Sequence, residues 1–172
     1  NGEKDAGIPA ACEEDYVLEE AVPGAEYGVD AALDEKKYCQ ILLRRKLLTP
    51  PPARQAVGYF SVTGREEREA CLISLVRDYL ERVTAVLELQ DCLLHAELMI
   101  LDERIFAIEL SARPSGHHLH DLFTPLATGV DMAEAYIRRQ CGLSYTYEPQ
   151  DVRRLLIRYF ALPEGVVKSV PK

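Results

Sequence analysis

The chain has 172 residues and a formal net charge of −8 at neutral pH, long enough for one domain with a real core. The acidic balance argues against nonspecific nucleic-acid binding, and no apolar run has membrane-spanning length or reads as a signal peptide. Five cysteines at irregular spacing, with no CxxC pair, fit the reduced thiols of a cytoplasmic protein.

The chain begins with Asn, which reads as a product of processing or a piece of a longer protein. Residues 1–15 are polar and aperiodic, a frayed start. Residues 16–22 read as a short strand before the Pro23-Gly24 turn, residues 26–33 as a second, and residues 37–48 as a third ending in Arg44-Arg45-Lys46. Pro50, Pro51 and Pro52 stop any element. Residues 58–63 suggest a strand. Thr63 with Glu66 forms a capping-box pattern ahead of a helix over residues 65–89, with its apolar stripe on Leu72, Val76, Tyr79, Val83 and Val86. Residues 119–126 read as a short helix. Thr128 and Asp131 open another that runs to Arg139 or Gln140, with Gly142 as its stop. Residues 153–161 are ambiguous by period and read as a strand. Residues 166–170 read as the start of one more. Strands, one long helix, a hairpin and short helices predict an α+β fold: a mostly antiparallel sheet with helices packed on it.

The stretch with most chemistry is the predicted hairpin of residues 94–113. Leu94, Ala96, Leu98 and Ile100 alternate with His95, Glu97, Met99 and Leu101; Phe106, Ile108 and Leu110 alternate with Ala107, Glu109, Ser111 and Arg113. A three-residue loop over Asp102, Glu103 and Arg104 pairs Leu101 with Ile105, Leu98 with Ile108 and Ala96 with Leu110, making one apolar face. The same register sets Glu97 opposite Glu109 and His95 opposite Ser111. Two unneutralised carboxylates so placed repel each other. A divalent cation relieves the repulsion, and oxygen ligands with substrate phosphates suit Mg²⁺. A solvated strand face is the competing reading; the cost of opposing like charges favours a site.

The segments VLEEAVPGAEYGVD, HAELMI and IELSARPSG, in this order and at these separations, resemble the second half of an ATP-grasp enzyme over residues 17–142. The nearest resemblance is to carboxylate–amine ligases, the group with amino-acid (dipeptide) ligases and biotin-carboxylase-like proteins. RYFALPEG, at residues 158–165, is similar to the segment just beyond the domain in dipeptide ligases. The resemblance makes residues 16–145 the large lobe of an ATP-grasp domain and residues 146–172 the start of a C-terminal extension.

It implies ATP and Mg²⁺ (or Mn²⁺) as cofactors, a small carboxylate and an amine (or thiol) as substrates, an acyl-phosphate intermediate, and no nucleic-acid or membrane partner; it also allows a homodimer. On individual residues it places Glu19, Glu20 and Val22 at the adenine edge and Glu26 at the ribose hydroxyls. His95 would be a phosphate contact, and Glu97 and Glu109 the Mg²⁺-bridging acids. Ser111 would sit beside the second metal, and Arg113 at the phosphate or acyl phosphate. Ser111 departs from the family, which has Asn there; a hydroxyl is a shorter, poorer ligand than an amide carbonyl. A degenerate, noncatalytic nucleotide-binding or interaction module is therefore the alternative. No GxxxxGK[ST] or GxGxxG motif occurs, so the phosphate-covering small lobe is expected ahead of Asn1, and these residues alone are expected to be inactive. His117, His118 and His120 read as a polar loop near the cleft.

Overall fold

The computed structural model describes residues 20–51, 53–160, 165, 166, 168 and 169. Six strands form one antiparallel sheet: β1 (Ala25–Asp34), β2 (Lys37–Leu48), β3 (Ala56–Ser61), β4 (Cys92–Leu101), β5 (Arg104–Ser111) and β6 (Leu156–Arg158). Their spatial order is β5-β4-β1-β2-β3-β6, so the predicted α+β class holds. No helix among the described residues is long and apolar enough to cross a membrane.

The long helix α1 (Glu67–Val86) covers one face of the sheet. Its buried Val76 and Leu80 pack on Val29, Ala31 and Leu33 of β1 and on Leu94, Ala96, Leu98 and Ile100 of β4. Those strand positions alternate, so the residues between them point to the opposite face. That second face is only partly covered. A π-helical turn (Leu119–Phe123) and α2 (Thr124–Thr128) close over Leu42 and Tyr59. Helix α3 (Met132–Gln140) closes over Ala32, Ile41 and Leu93. Asp131 caps α3 by accepting a bond from the Glu134 N–H at 2.9 Å, and Gly142 takes the left-handed φ of 67° after its end, both as the sequence predicts.

Four expectations need correction. Glu20, Ala21 and Val22 are not in a strand; the rest of that predicted strand lies outside the described residues. Gly24 bends this segment so tightly against β4 that a Cβ there would stand 2.5 Å from the Ile100 carbonyl oxygen. The capping box fails, because Glu66 makes no side-chain cap bond. Glu69 replaces it, its Oε2 accepting from the Thr63 N–H at 3.1 Å, the Thr63 hydroxyl at 2.6 Å and the Gly64 N–H at 3.1 Å. The final predicted strand is not found at residues 166, 168 and 169, and the rest of it lies outside the described residues.

The fourth correction concerns the hairpin. Its turn has two residues, with Leu101 opposite Arg104 and Ile100 opposite Ile105. A bulge between Glu97 and Leu98 then absorbs one extra residue of β5, Ile108, so that Leu98 faces Ala107 while Glu97 still faces Glu109. The extra residue expected in the loop has moved into the strand. Ile105 gains from this: it packs against the α1-side core, whereas Ile108 is 54% exposed. A bulge also twists an edge strand, and β5 is an edge of the sheet.

Candidate functional site

The second face carries a row of directly opposed residues across five strands, Glu109, Glu97, Gly28, Arg44 and Ser61, open at its Glu109 end and buried at Arg44 and Ser61. Alongside it, His95 faces Ser111 on one side and Asp30 on the other. The expected acids Glu97 and Glu109 therefore share a row on adjacent strands, with Ser111 next to them.

Asp30 and Arg44 are fully buried and form a two-pronged ion pair, one prong of 2.7 Å from Nη2 to Oδ1 and a short one from Nη1 to Oδ2. The Thr124 hydroxyl donates to Asp30 at 2.7 Å and accepts from Arg44 at 2.9 Å, which ties α2 to the sheet. Gly28 lies beside this pair: a Cβ there would stand in ordinary contact, 3.7 Å, with Arg44 Nη2 and His95 Cε1. Burial pushes the Asp30 carboxyl up, but the Arg44 guanidinium and bonds from His95 and Thr124 hold it well below the usual carboxylate range.

From this anchor a chain of polar contacts runs out to the surface. His95 is 7% exposed; its Nδ1 lies 3.3 Å from the Val29 carbonyl and 3.5 Å from Asp30 Oδ1. Its Nε2 lies 3.7 Å from Glu97 Oε1. Lys46 Nζ sits 3.0 Å from Glu97 Oε2 and closer still to Glu26. His95, with Nε2 at 3.7 Å, and then Lys46 bring the Glu97 carboxyl down to about 2 against the effect of burial. Burial lowers His95, but the nearby Asp30 and Glu97 carboxylates raise it more. Burial likewise lowers Lys46, but Glu26 and Glu97 raise it more. Glu109 is half exposed; its Oε1 accepts from the Ser111 hydroxyl at 2.6 Å and lies 3.5 Å from Arg113 Nη2. Arg113 is also exposed and donates to the Pro114 carbonyl at 3.0 Å.

The donor set fits a hard divalent cation in one respect: two carboxylates face each other with a hydroxyl beside them. Among the described residues no group of three or more His, Cys, Asp or Glu is arranged to hold a metal, so phosphate oxygens or water would have to complete a coordination sphere. The His117, His118 and His120 loop makes other contacts: His118 faces Asp121 at 3.1 Å, and the His117 ring lies tilted against Tyr159 with centroids 5.9 Å apart.

Of the residues expected at the nucleotide, Glu26 lies in the site, bound to Lys46. Glu20 is exposed and Val22 half-buried in the segment beside Gly24; Glu19 lies outside the described residues. Sequence reasoning passed over Asp30, Arg44, Lys46 and Thr124 as a connected set. One signal was present: Asp30 is a lone charge within the apolar run Val29-Asp30-Ala31-Ala32-Leu33, and a buried charge needs a partner.

The family model described as an ATP-grasp domain matches residues 5–120. The fold is similar to phosphoribosylglycinamide synthetase from Anaerococcus prevotii, with 15% identity and a TM-score of 0.67 over 81% of this chain and 35% of that one. It is similar to L-amino acid ligase from Bacillus licheniformis, with 14% identity and a TM-score of 0.60 over 73% and 32%. It is also similar to the biotin carboxylase domain of Hydrogenobacter thermophilus 2-oxoglutarate carboxylase, solved with MgADP and bicarbonate, with 17% identity and a TM-score of 0.52 over 76% and 27%. The chain thus spans about a third of the length of the first two. No curated protein matches.

Proposed function

This chain belongs to the ATP-grasp family, and from that premise we propose that it forms one wall of the nucleotide cleft of an ATP-dependent carboxylate–amine (or thiol) ligase. The observation that carries this reading is the opposition of Glu97 and Glu109 on the uncovered face. In the proposed reaction a substrate carboxylate attacks the terminal phosphorus of ATP, releasing ADP and leaving an acyl phosphate. The amine then attacks the acyl carbon and expels phosphate.

Glu97 and Glu109 would hold Mg²⁺ (or Mn²⁺), whose charge would offset that of the phosphates. His95, braced by Asp30, orients the Glu97 carboxylate from the protein side. Arg113, four residues along from Glu109, extends toward the same region and suits a two-pronged contact with a phosphoryl group. The backbone at Glu19, Glu20 and Val22 would take the adenine edge and Glu26 the ribose. Phosphoryl transfer depends on positioning and charge from both walls of a cleft. Turnover is therefore expected of a longer protein containing this lobe, and only weak nucleotide binding of these 172 residues.

The test is titration of the chain with ADP in the presence and absence of Mg²⁺. Metal-dependent binding that is lost in Glu97→Gln and in Glu109→Gln supports the assignment; binding indifferent to both substitutions removes it. One observation favours the second reading, a noncatalytic module. The Ser111 hydroxyl donates to Glu109 at 2.6 Å, and it is a shorter ligand than the Asn amide that the resemblance leads one to expect there, so its oxygen reaches less far toward a metal. ADP binding by the chain with no ligase turnover in any longer form would select that reading.

A further inference from the structure

Lys46 belongs to β2 and Glu97 to β4, and β1 lies between those strands. Lys46 and Glu97 meet over β1, reaching in from either side, with Nζ 3.0 Å from Oε2. Gly28, directly opposite Glu97, puts no side chain in the way. This brings the ammonium between two carboxylates, Glu26 and Glu97, with its side chain 9% exposed. His95 Nε2 faces the other Glu97 oxygen at 3.7 Å. Both oxygens of the carboxylate nominated as a metal ligand are thus already engaged, whereas Glu109 opposite meets only Ser111 and Arg113 at its surface end among the described residues.

We propose that Lys46 is the resident counter-cation of Glu97 and competes with the divalent metal for it. The inference rests on the metal reading of Glu97 and Glu109 given above. An ammonium and a divalent cation cannot both lie within contact of one carboxylate oxygen without strong like-charge repulsion. Metal entry therefore requires the ammonium to leave Glu97, and Glu26 is the carboxylate that retains it. In the metal-free protein Lys46 keeps Glu26 and Glu97 from repelling each other. The metal site is in this way occupied by an internal cation until the nucleotide complex displaces it.

The experiment is Mn²⁺ binding to the 172-residue chain with ADP present, read from the electron paramagnetic resonance signal of the free ion. Lys46→Met removes the competitor and is expected to tighten Mn²⁺ binding roughly tenfold. Lys46→Gln, which keeps a donor for Glu26, is expected to do the same if Lys46→Met folds poorly. A residue with a merely structural role would weaken binding or leave it unchanged when removed. Unchanged or weaker binding in folded Lys46→Met and Lys46→Gln, with binding still lost in Glu97→Gln, overturns the competition and leaves the metal site standing. Mn²⁺ binding unaffected by Glu97→Gln overturns the site itself. Tightening in both Lys46 variants that disappears when Glu97→Gln is added confirms that the two cations contend for this carboxylate.

Discussion

Glu97 and Glu109 face each other across β4 and β5 although the turn joining these strands is one residue shorter than their register requires. The bulge at Ile108 makes up the difference, and this has a consequence for stability. Ile105 and Leu110, not Ile108, are the inward aliphatic residues of β5. Ile105→Ala should cost about 2 kcal/mol, the low end for a partly buried site, and Ile108→Thr no more than about 0.5 kcal/mol. Urea denaturation midpoints decide it; the reverse order would restore the unbroken alternation of the hairpin.

The Asp30–Arg44 pair should behave as a buried ion pair. Asp30→Ala leaves the Arg44 charge without its partner and should cost roughly 3–5 kcal/mol. The double substitution Asp30→Leu with Arg44→Met removes both charges and should cost much less than the single one. Equal losses in the single and double variants would mean that packing around Thr124, and not the charge, sets the penalty.

The same carboxyl governs the acid side of the stability curve. Arg44, His95 and Thr124 more than offset burial and hold Asp30 below its ordinary value of 3.8. A depressed folded pKa contributes stability above the unfolded value and loses it as pH falls through the folded value. The contribution is therefore intact above pH 3.8 and declines progressively below it. Thermal midpoints taken downward from neutral pH should fall more steeply in the wild-type chain than in the double variant lacking the carboxyl. Parallel curves would contradict the assignment.

At the start of α1 the cap is carried by Glu69. Its Oε2 collects three donors from Thr63 and Gly64, and Arg154 approaches its other oxygen at 3.1 Å. Glu69→Ala should cost about 1 kcal/mol, as for loss of a helix cap. Glu66→Ala, which removes only an exposed contact to Arg154 at 3.4 Å, should stay within about 0.5 kcal/mol. Comparable losses at both positions would reinstate the capping box.

These cases mark where local sequence signals end. The extent of β2, the Asp131 cap and the Gly142 stop were legible because each depends on neighbours within a few residues. The Glu97–Glu109 pairing was legible because alternation fixes which residues share a face, wherever the extra residue is placed. The bulge itself was not, since loop and strand can each absorb one residue and only packing of Ile105 under α1 chooses between them. Arg44 looked like part of a basic run ending a strand. Its burial follows from Asp30 on β1 and Thr124 on α2, separated from it by 14 and 80 residues, and no periodicity reports such a meeting. Lys46 was hidden for the same reason, its partners lying on two other strands.

Arg113 is exposed, and among the described residues its guanidinium meets Glu109 at 3.5 Å and the neighbouring Pro114 carbonyl at 3.0 Å. Asp121, the other acid within reach in sequence, faces His118 instead. Contacts of this kind contribute little to stability, so the guanidinium is held in place cheaply and stays free to turn toward a ligand. In the ligase reading it meets the negative charge that develops on the transferring phosphoryl group. Lys offers one charge but not the planar fork that matches phosphate oxygens. In the full-length ligase, Arg113→Lys should lower kcat by roughly 10²–10³, by analogy with removal of one oxyanion donor. The thermal midpoint should barely move, because the side chain is more than half exposed. A large fall in the midpoint with turnover intact would make Arg113 a structural residue. A fall in kcat alone, with KM for ATP unchanged, would place its contribution in the transition state and not in nucleotide binding.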